Sequence, residues 1–297
     1  MGHSIASVLR HGGVRVVTCL EGRSDRTRVL AAEAGVEALP NIDEVVQQAE
    51  IILSVLVPAQ AGSLAKLLAD AIRRTGARPL VADCNAIAPA TVGELAATLE
   101  AAGARFVDAG IIGSPPTLGA RNTRIYASGE HASQLEVLND HGLDVRVIGS
   151  NVGQASGLKM CYAALTKGLT ALGTELHVAA DVMGLSVPLR EELAMSQPVI
   201  QAWLERLIPA MPPKAYRWVG EMEEIAATFE STGLTPRIML GAADIYRLVE
   251  ASSLGQETPE LRTKGTSLID VTSVLAQPLK DNSDQQRHVP KADATKR

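Results

Sequence analysis

The chain is poor in aromatic residues and in cysteine. Only 3% of its 297 residues are aromatic while 46% are hydrophobic, so its core must be built mainly from Ala, Val, Leu and Ile. Cys19, Cys84 and Cys161 lie far apart without CxxC spacing, and neither they nor the six histidines show metal-ligand spacing. This pattern predicts reduced, mostly buried thiols, a cytoplasmic location and no metal site.

A strong charge of one sign and long apolar runs are also missing. The net charge is −5, no segment has the length and apolarity of a membrane span, and Met1-Gly-His-Ser is not a signal peptide. We therefore expect neither nucleic acid nor a membrane as the main partner, and a small molecule as the substrate.

The first half of the chain alternates strand and helix patterns. Short runs rich in Val and Ile, typical of buried strands, occupy residues 14–19, 51–56, 80–83, 105–109, 124–127 and 145–148. Helical patterns separate them up to about residue 150. This alternation predicts an α/β, Rossmann-like domain over residues 1–153, with a doubly wound parallel sheet.

The second half is helical. Residues 155–183 contain no proline and keep one helical pattern, and further helices are predicted at 189–207, 216–231, 236–252 and 261–275. Residues 277–297 are polar, with two prolines. We expect an all-α substrate or dimerisation domain at 154–276, entered by a long interdomain helix, and then a disordered tail.

The chain opens where a dinucleotide-binding turn would end. Such domains begin with a strand, a glycine-rich turn and a helix whose N-terminus receives the pyrophosphate. Here Met1-Gly2 leads directly into a helical pattern, so Gly2 fits the last glycine of GxGxxG. Glu21 lies about 20 residues on, where an acidic residue binds the ribose. We expect a domain whose first strand lies upstream of Met1; a helix that begins where the gene begins is the alternative.

Four stretches occur in a fixed order along the chain. They are Met1-Gly2, Asp83-Cys-Asn85-Ala-Ile-Ala-Pro89, Asp108-Ala-Gly-Ile-Ile-Gly113-Ser114 and Gly153-Gln-Ala-Ser-Gly-Leu-Lys159-Met-Cys-Tyr162-Ala163. Together they resemble the motifs of the β-hydroxyacid dehydrogenases, which include 3-hydroxyisobutyrate and 6-phosphogluconate dehydrogenases. Leu56-Val57-Pro58 also resembles the family loop that packs on the cofactor. The resemblance covers about residues 1–275 and is closest to a poorly characterised bacterial branch.

The resemblance implies an NAD(P)-dependent oxidoreductase that transfers a hydride between nicotinamide and a small hydroxy or oxo compound. It implies that Lys159 exchanges the hydroxyl proton and that Gly113 and Ser114 bind substrate. The implied cofactor-binding residues are Gly2, Leu56, Val57, Pro58 and Asn85.

The stripe around Lys159 supports this assignment and also departs from the family. Tyr162, Ala163 and Thr166 share the helix face of Lys159, because residues three, four and seven positions apart on a helix lie together. Tyr162 and Ala163 replace family asparagine-type positions, and Ile112 replaces the serine of the substrate motif. We assign Tyr162 a catalytic role and Thr166 a substrate-binding role. A solvated face or a helix–helix seam is the other interpretation.

The cofactor choice depends on the loop after the first strand. Glu21 favours the free ribose hydroxyls of NAD, whereas Arg23, Ser24 and Arg26 favour the phosphate of NADP. We favour NADP and keep NAD alongside. In the alternative interpretation the segment is a solvated loop in which Ser24 caps the next helix.

Two other functions stay open. Tyr162 beside Lys159 is compatible with an imine reductase-like reduction of C=N. The incomplete fingerprint, Ile112 and Ala163 are compatible with a non-catalytic binding or scaffold protein. For the oxidoreductase we expect a homodimer, because an Ala- and Leu-rich helical domain with a long exposed helix needs a partner surface.

Overall fold

The computed structural model describes residues 1–120, 122–258 and 261–287. The chain divides into two compact units: the first holds Met1–Ala163 with Ala227–Leu234, and the second holds Ala164–Ala226 with the chain from Thr235 onward. The first unit is α/β with a mostly parallel sheet and the second is helical, as the sequence predicts.

The first unit alternates strands and helices. The strands are β1 Val17–Cys19, β2 Glu37–Leu39, β3 Ile51–Ser54, β4 Leu80–Asp83, β5 Arg105–Gly113, β6 Thr123–Ser128 and β7 Val145–Gly149. The helices are α1 Gly2–His11, α2 Asp25–Glu33, α3 Ile42–Gln48, α4 Ala61–Thr75 and α5 Pro89–Glu100, with 3₁₀ segments at Pro58–Gln60 and Ala132–His141. The sequence prediction missed β2, a three-residue strand in which only Leu39 is buried.

The strands form two hydrogen-bonded sheets. β3-β4-β5-β6-β7 form one sheet, in which every pair is parallel except β5 with β6, and β1 pairs with β2 in parallel. The large sheet is therefore mostly parallel, and β6 is the strand that runs antiparallel to β5.

The larger sheet is buried on both faces. Val81 and Phe106 belong to a core cluster with residues of α4 and α5. Leu80 and Val107 belong to a second cluster with residues of α1 and of the 3₁₀ segment Ala132–His141. Successive side chains of a strand point to opposite faces, so each strand feeds both cores. This explains why residues 80–82 of β4 form a continuous apolar run before Asp83.

Helix α6 spans Gln154–Val182; its first part lies in the first unit and the rest in the second. The later helices are α7 Ser186–Ser196, α8 Pro198–Ala210, α9 Ala215–Ser231, α10 Arg237–Ala251 and α11 Leu268–Arg287, and a 3₁₀ turn covers Pro212–Lys214. The single helix expected at 189–207 is two helices, because Pro198 has no amide hydrogen to continue α7 and instead starts α8.

The C-terminal expectation is wrong in part. Helix α11 starts at Leu268, seven residues later than predicted, and continues to Arg287, so residues 277–287 are helical. Polar contacts hold this stretch: Gln277 donates to Asp281 at 2.8 Å, and Lys280 pairs with Asp181 of α6 at 3.0 Å. Residues 288–297 of the expected tail lie outside the described residues.

The thiols differ in their surroundings. Cys84 is buried, Cys19 is intermediate and Cys161 is exposed on α6, so the expectation of mostly buried thiols fails at Cys161. Among the residues that the structure describes, no helix is both long and apolar enough to cross a membrane.

Candidate functional site

A row of polar residues crosses the large sheet of the first unit. The strand register aligns Ser54 with Asp83, Asp83 with Asp108, and Asp108 with Ser128. All four are at most 4% exposed. β3 and β4 end at this row, and ligands of doubly wound sheets bind beyond the carboxyl ends of the parallel strands. The row therefore marks the edge of the candidate site.

Asp108 fastens the start of α6 to the sheet. Its carboxylate accepts hydrogen bonds from the Gly153 amide at 2.8 Å, the Ser156 amide at 3.1 Å, the Ser156 hydroxyl at 2.6 Å and the Ser128 hydroxyl at 3.0 Å. The Ser128 hydroxyl in turn accepts from the Ala155 amide at 3.0 Å. A carboxylate at a helix N-terminus satisfies unpaired amides and complements the helix dipole. Asp108 thus fixes the helix that carries Lys159.

Lys159 lies against β5. Its ammonium donates a hydrogen bond to the carbonyl oxygen of Ile111, two residues before Gly113, and the side chain is half-buried. Gly110 permits this approach: a Cβ there would lie 2.8 Å from the Ala155 carbonyl oxygen and 3.1 Å from the Lys159 Cβ. The structure therefore brings the predicted catalytic lysine to the strand that carries the predicted substrate motif.

Asn85 ties together the loops after β3 and β4. Its amide nitrogen donates to Ser54 at 2.8 Å and to Asp83 at 2.7 Å, while its amide oxygen accepts from the Leu56 backbone amide at 2.5 Å. Burial raises the pKa of Asp83, and the hydrogen bonds from Asn85 and Ser54 act against that rise. Asn85 is 2% exposed. Its hydrogen bond from the Leu56 amide holds the backbone of the Leu56-Val57-Pro58 loop in place.

The predicted cofactor residues near the N-terminus lie in two places. Gly2 is the first residue of α1, and a Cβ on it would meet Val55, just beyond β3, at 3.9 Å. Glu21 is exposed after β1. Ser24 caps α2 by accepting from the Thr27 amide at 3.3 Å, which confirms the capping interpretation of that residue.

Gly113 and Ser114 form the turn after β5. Gly113 has φ +123°, and a Cβ there would lie 2.1 Å from the carbonyl oxygen of Asn122, so only glycine fits. The Ser114 hydroxyl accepts from the side-chain amide of Asn122 at 2.7 Å. Ser114 is therefore held against Asn122 at the end of β5.

The predicted stripe on α6 is mixed in its surroundings. Tyr162 is 45% exposed and Ala163 is buried. Thr166 belongs to the second unit, where its carbonyl accepts from the Thr170 hydroxyl at 2.7 Å. Ala163 is only 1% exposed, so the solvated-face interpretation does not hold along the whole stripe.

The second unit contains a buried ion pair that was not predicted from the sequence. Lys167 of α6 and Glu221 of α9 pair directly, with side chains 10% and 9% exposed. The Tyr246 hydroxyl donates to the Lys167 carbonyl at 2.6 Å, and the Lys167 ammonium lies 5.5 Å from the centroid of the Trp218 ring. The two partners are 54 residues apart in the sequence, so no local pattern indicates the pair. Within the described part of the chain, no group of three or more His, Cys, Asp or Glu is arranged to hold a metal ion.

Comparison with known proteins gives a consistent picture. The family model of the NAD-binding domain of 6-phosphogluconate dehydrogenase matches residues 1–149, and a domain of unknown function matches residues 180–249. An uncharacterised 28.5 kDa protein from Methanothermus fervidus is 32% identical over 180 residues, which is 61% of this chain and 67% of that protein.

Two solved structures extend the likeness over most of the chain. A conserved protein of unknown function, whose structure is similar to 3-hydroxyacid dehydrogenases, is 31% identical with a TM-score of 0.61, covering 84% of this chain and 92% of that one. A 3-hydroxyisobutyrate dehydrogenase from Mycobacterium tuberculosis is 19% identical with a TM-score of 0.62, covering 94% and 95%. At that identity the second likeness is one of fold.

Proposed function

The chain belongs to the family of the NAD-binding domain of 6-phosphogluconate dehydrogenase, and from this premise we propose that it is an NAD(P)-dependent oxidoreductase acting on a small hydroxy or oxo compound. The observation that carries the proposal is the placement of Lys159. Asp108 binds the start of α6, and the Lys159 ammonium on this helix contacts the Ile111 carbonyl of β5, two residues before Gly113. NAD(P), when bound, gives or accepts the hydride.

The residues of the first unit fit a dinucleotide. Helix α1 begins at Gly2 without a side-chain cap from Met1, and amides at a helix N-terminus favour a phosphate. Leu56, Val57 and Pro58 form a half-buried apolar loop that Asn85 holds, which suits packing against a flat ring. Glu21 would bind the ribose, and Arg23 would bind a ribose phosphate. We favour NADP and keep NAD as the alternative.

Lys159 is the proposed proton donor and acceptor. An ammonium has three N–H donors, and one of them binds the Ile111 carbonyl, which places the group on the strand that leads to Gly113, where a substrate oxygen would lie. In reduction Lys159 gives its proton to that oxygen; in oxidation its neutral amine takes the hydroxyl proton. Gly113 and Ser114 would shape the substrate end of the site, and Tyr162 and Thr166 would contact the substrate from α6.

The test is a cofactor titration followed by turnover. The intrinsic fluorescence of NADPH or NADH is followed as protein is added, and hydroxyacids are then screened with the oxidised cofactor that binds. Lys159→Met should keep the parent's cofactor affinity and lose at least about 100-fold in turnover. Lys66→Met, an exposed lysine in the same unit, is the matched control and should keep both.

The titration also tests whether the loop after β1 selects NADPH over NADH. Arg23→Gln should weaken NADPH binding about tenfold and leave NADH binding unchanged if Arg23 holds the ribose phosphate. Absence of binding by either cofactor refutes the oxidoreductase proposal and favours the non-catalytic alternative. Full turnover in Lys159→Met refutes the role of that lysine.

An imine reductase-like activity is the second candidate. The observation that favours it is Tyr162, exposed one turn from Lys159 on α6. Cyclic imines belong in the same screen: turnover of imines, lost in Tyr162→Phe and not in Lys159→Met, would replace the alcohol proposal.

We also propose that the chain forms a homodimer. Helix α6 exposes Leu158, Leu165 and Leu172 by 38%, 66% and 56%, an unusual density of apolar side chains on one helix. Light scattering coupled to size-exclusion chromatography should give twice the 31.3 kDa chain mass. A monomer at micromolar concentration would contradict the proposal.

A further inference from the structure

The second unit gathers positive charge around one aromatic ring. The ammonium groups of Lys167 and Lys214 lie 5.5 and 5.9 Å from the centroid of the Trp218 ring. Lys167 is neutralised by Glu221, the one carboxylate that pairs with either lysine among the described residues. The Lys214 ammonium has no hydrogen-bond or ion-pair partner within that same part of the chain.

Further cations stand near Lys214. Burial and the charges of Arg217, Arg262 and Lys167, in that order, lower the pKa of Lys214. Arg262 donates one of its guanidinium hydrogens to the Pro209 carbonyl at 2.7 Å, which helps to fix its position. Like charges held together in a partly desolvated place cost stability unless an anion joins them.

The surrounding groups are rigid. Trp218 meets the Tyr246 ring edge-on, with centroids 5.3 Å apart and planes at 78°. Lys214 ends a 3₁₀ turn whose two prolines, Pro212 and Pro213, are buried. Groups that are already in place lose little conformational entropy when a ligand binds. Packing therefore holds the Trp218 ring and the turn that carries Lys214.

From this arrangement we propose an oxyanion-binding site in the second unit, in which Lys214, Arg217 and Arg262 receive the carboxylate or phosphate group of a small molecule beside Trp218. Lys167 and Glu221 support Trp218 and complete the site without supplying net charge. The proposal does not depend on the oxidoreductase function, because the anion needs no nicotinamide cofactor to bind.

The test uses Trp218 as the reporter. The chain has two tryptophans, so Trp203→Phe leaves Trp218 alone. The full-length Trp203→Phe protein, without cofactor, is titrated with inorganic phosphate and separately with malonate, against chloride at matched ionic strength. We expect a saturable change in emission with phosphate or malonate and none with chloride. Tighter phosphate binding assigns a phosphoryl ligand, and tighter malonate binding assigns a carboxylate ligand.

Variants at the cluster separate a site from general salt effects. Lys214→Met should weaken anion binding at least about tenfold, since it removes a charge-assisted hydrogen bond. Lys214→Arg should retain binding, and Lys66→Met, an exposed lysine of the first unit, should bind as the parent does. No saturable change with either anion, or an unchanged affinity in Lys214→Met, overturns the proposal.

The proposal can still be tested if Lys214→Met does not fold. Each variant is checked by far-UV circular dichroism, and if Lys214→Met departs from the parent, Arg217→Gln takes its place with the same expected weakening. An affinity in Arg217→Gln equal to the parent's then counts against the site. Calorimetric titration of the unmodified chain with the tighter anion provides a reading that is independent of Trp218.

Discussion

Replacing Asp108 should separate the charge of its carboxylate from its geometry. In Asp108→Asn, an amide oxygen in the place of Oδ2 accepts the three bonds from Ser128, Gly153 and the Ser156 amide. The amide nitrogen then faces the Ser156 hydroxyl, which reverses and accepts. Every hydrogen bond survives, and only the charge at the start of α6 is lost. We expect a loss of about 1–2 kcal/mol in the free energy of unfolding.

Asp108→Ala removes the acceptor altogether. The Ser156 amide is buried and keeps no partner, at about 1–3 kcal/mol, and the loss of the cap adds about 1 kcal/mol. The strong bonds to a charged acceptor disappear as well, so we expect a total near 4 kcal/mol. The alanine variant should therefore be at least twice as destabilised as the asparagine variant.

The assay is urea unfolding of the parent and both variants, followed by far-UV circular dichroism because both tryptophans lie in the second unit. Asp140→Ala, an exposed acid in the first unit, is the control and should stay within about 0.5 kcal/mol of the parent. An alanine variant within 1 kcal/mol of the parent, or equal losses for Ala and Asn, would refute the anchoring role.

Three further outcomes are expected. Gly110→Ala should cost about 1–3 kcal/mol in chemical unfolding, because its Cβ would lie 2.8 Å from the Ala155 carbonyl oxygen and α6 must shift; a neutral effect would contradict the close packing. Lys167→Met should cost about 3–5 kcal/mol because the buried carboxylate of Glu221 loses the charge of Lys167, and Lys167→Met with Glu221→Met should recover most of that loss; equal losses would argue against pairing as the cause. Burial lowers the pKa of His177 from 6.5, so the unfolded chain takes up its proton first and stability falls as the pH drops below about 6.5, by at most about 1.4 kcal/mol per pH unit. His177→Leu should flatten the stability profile between pH 7 and 5, and an unchanged slope would assign the loss to other groups.

Much of the fold follows from local patterns. The helix expected at 155–183 is α6 at Gln154–Val182, because a long stretch without proline and with one periodicity has little competing structure. Pro198 shows the limit of that reasoning: the apolar pattern continues across it, but the backbone hydrogen-bond ladder cannot. Residues 277–287 show the opposite case, a polar segment kept helical by contacts such as Lys280 with Asp181.

The candidate site is predictable only where one motif contains the chemistry. Lys159 stands out by its place at the start of a long helix. Its supports do not, because Asp108 caps a helix 45 residues away and becomes recognisable only when the sheet register aligns it with Ser128. Lys167 likewise carries no sign of its pairing with Glu221. Such contacts depend on tertiary packing, which sequence periodicity does not encode.

The buried thiol of Cys84 allows local opening of the candidate site to be followed by the rate of chemical labelling. This thiol lies between Asp83 and Asn85, is 6% exposed, and has a pKa raised by burial, so a disulfide reagent can reach it as thiolate only when the strand ends open. Cys161 is exposed and reacts first, so a Cys161→Ser background leaves the slower labelling phases. The labelling rate of Cys84 then reports how often the polar row opens, and the measurement needs no substrate. A ligand that binds over this edge of the sheet would lower that rate.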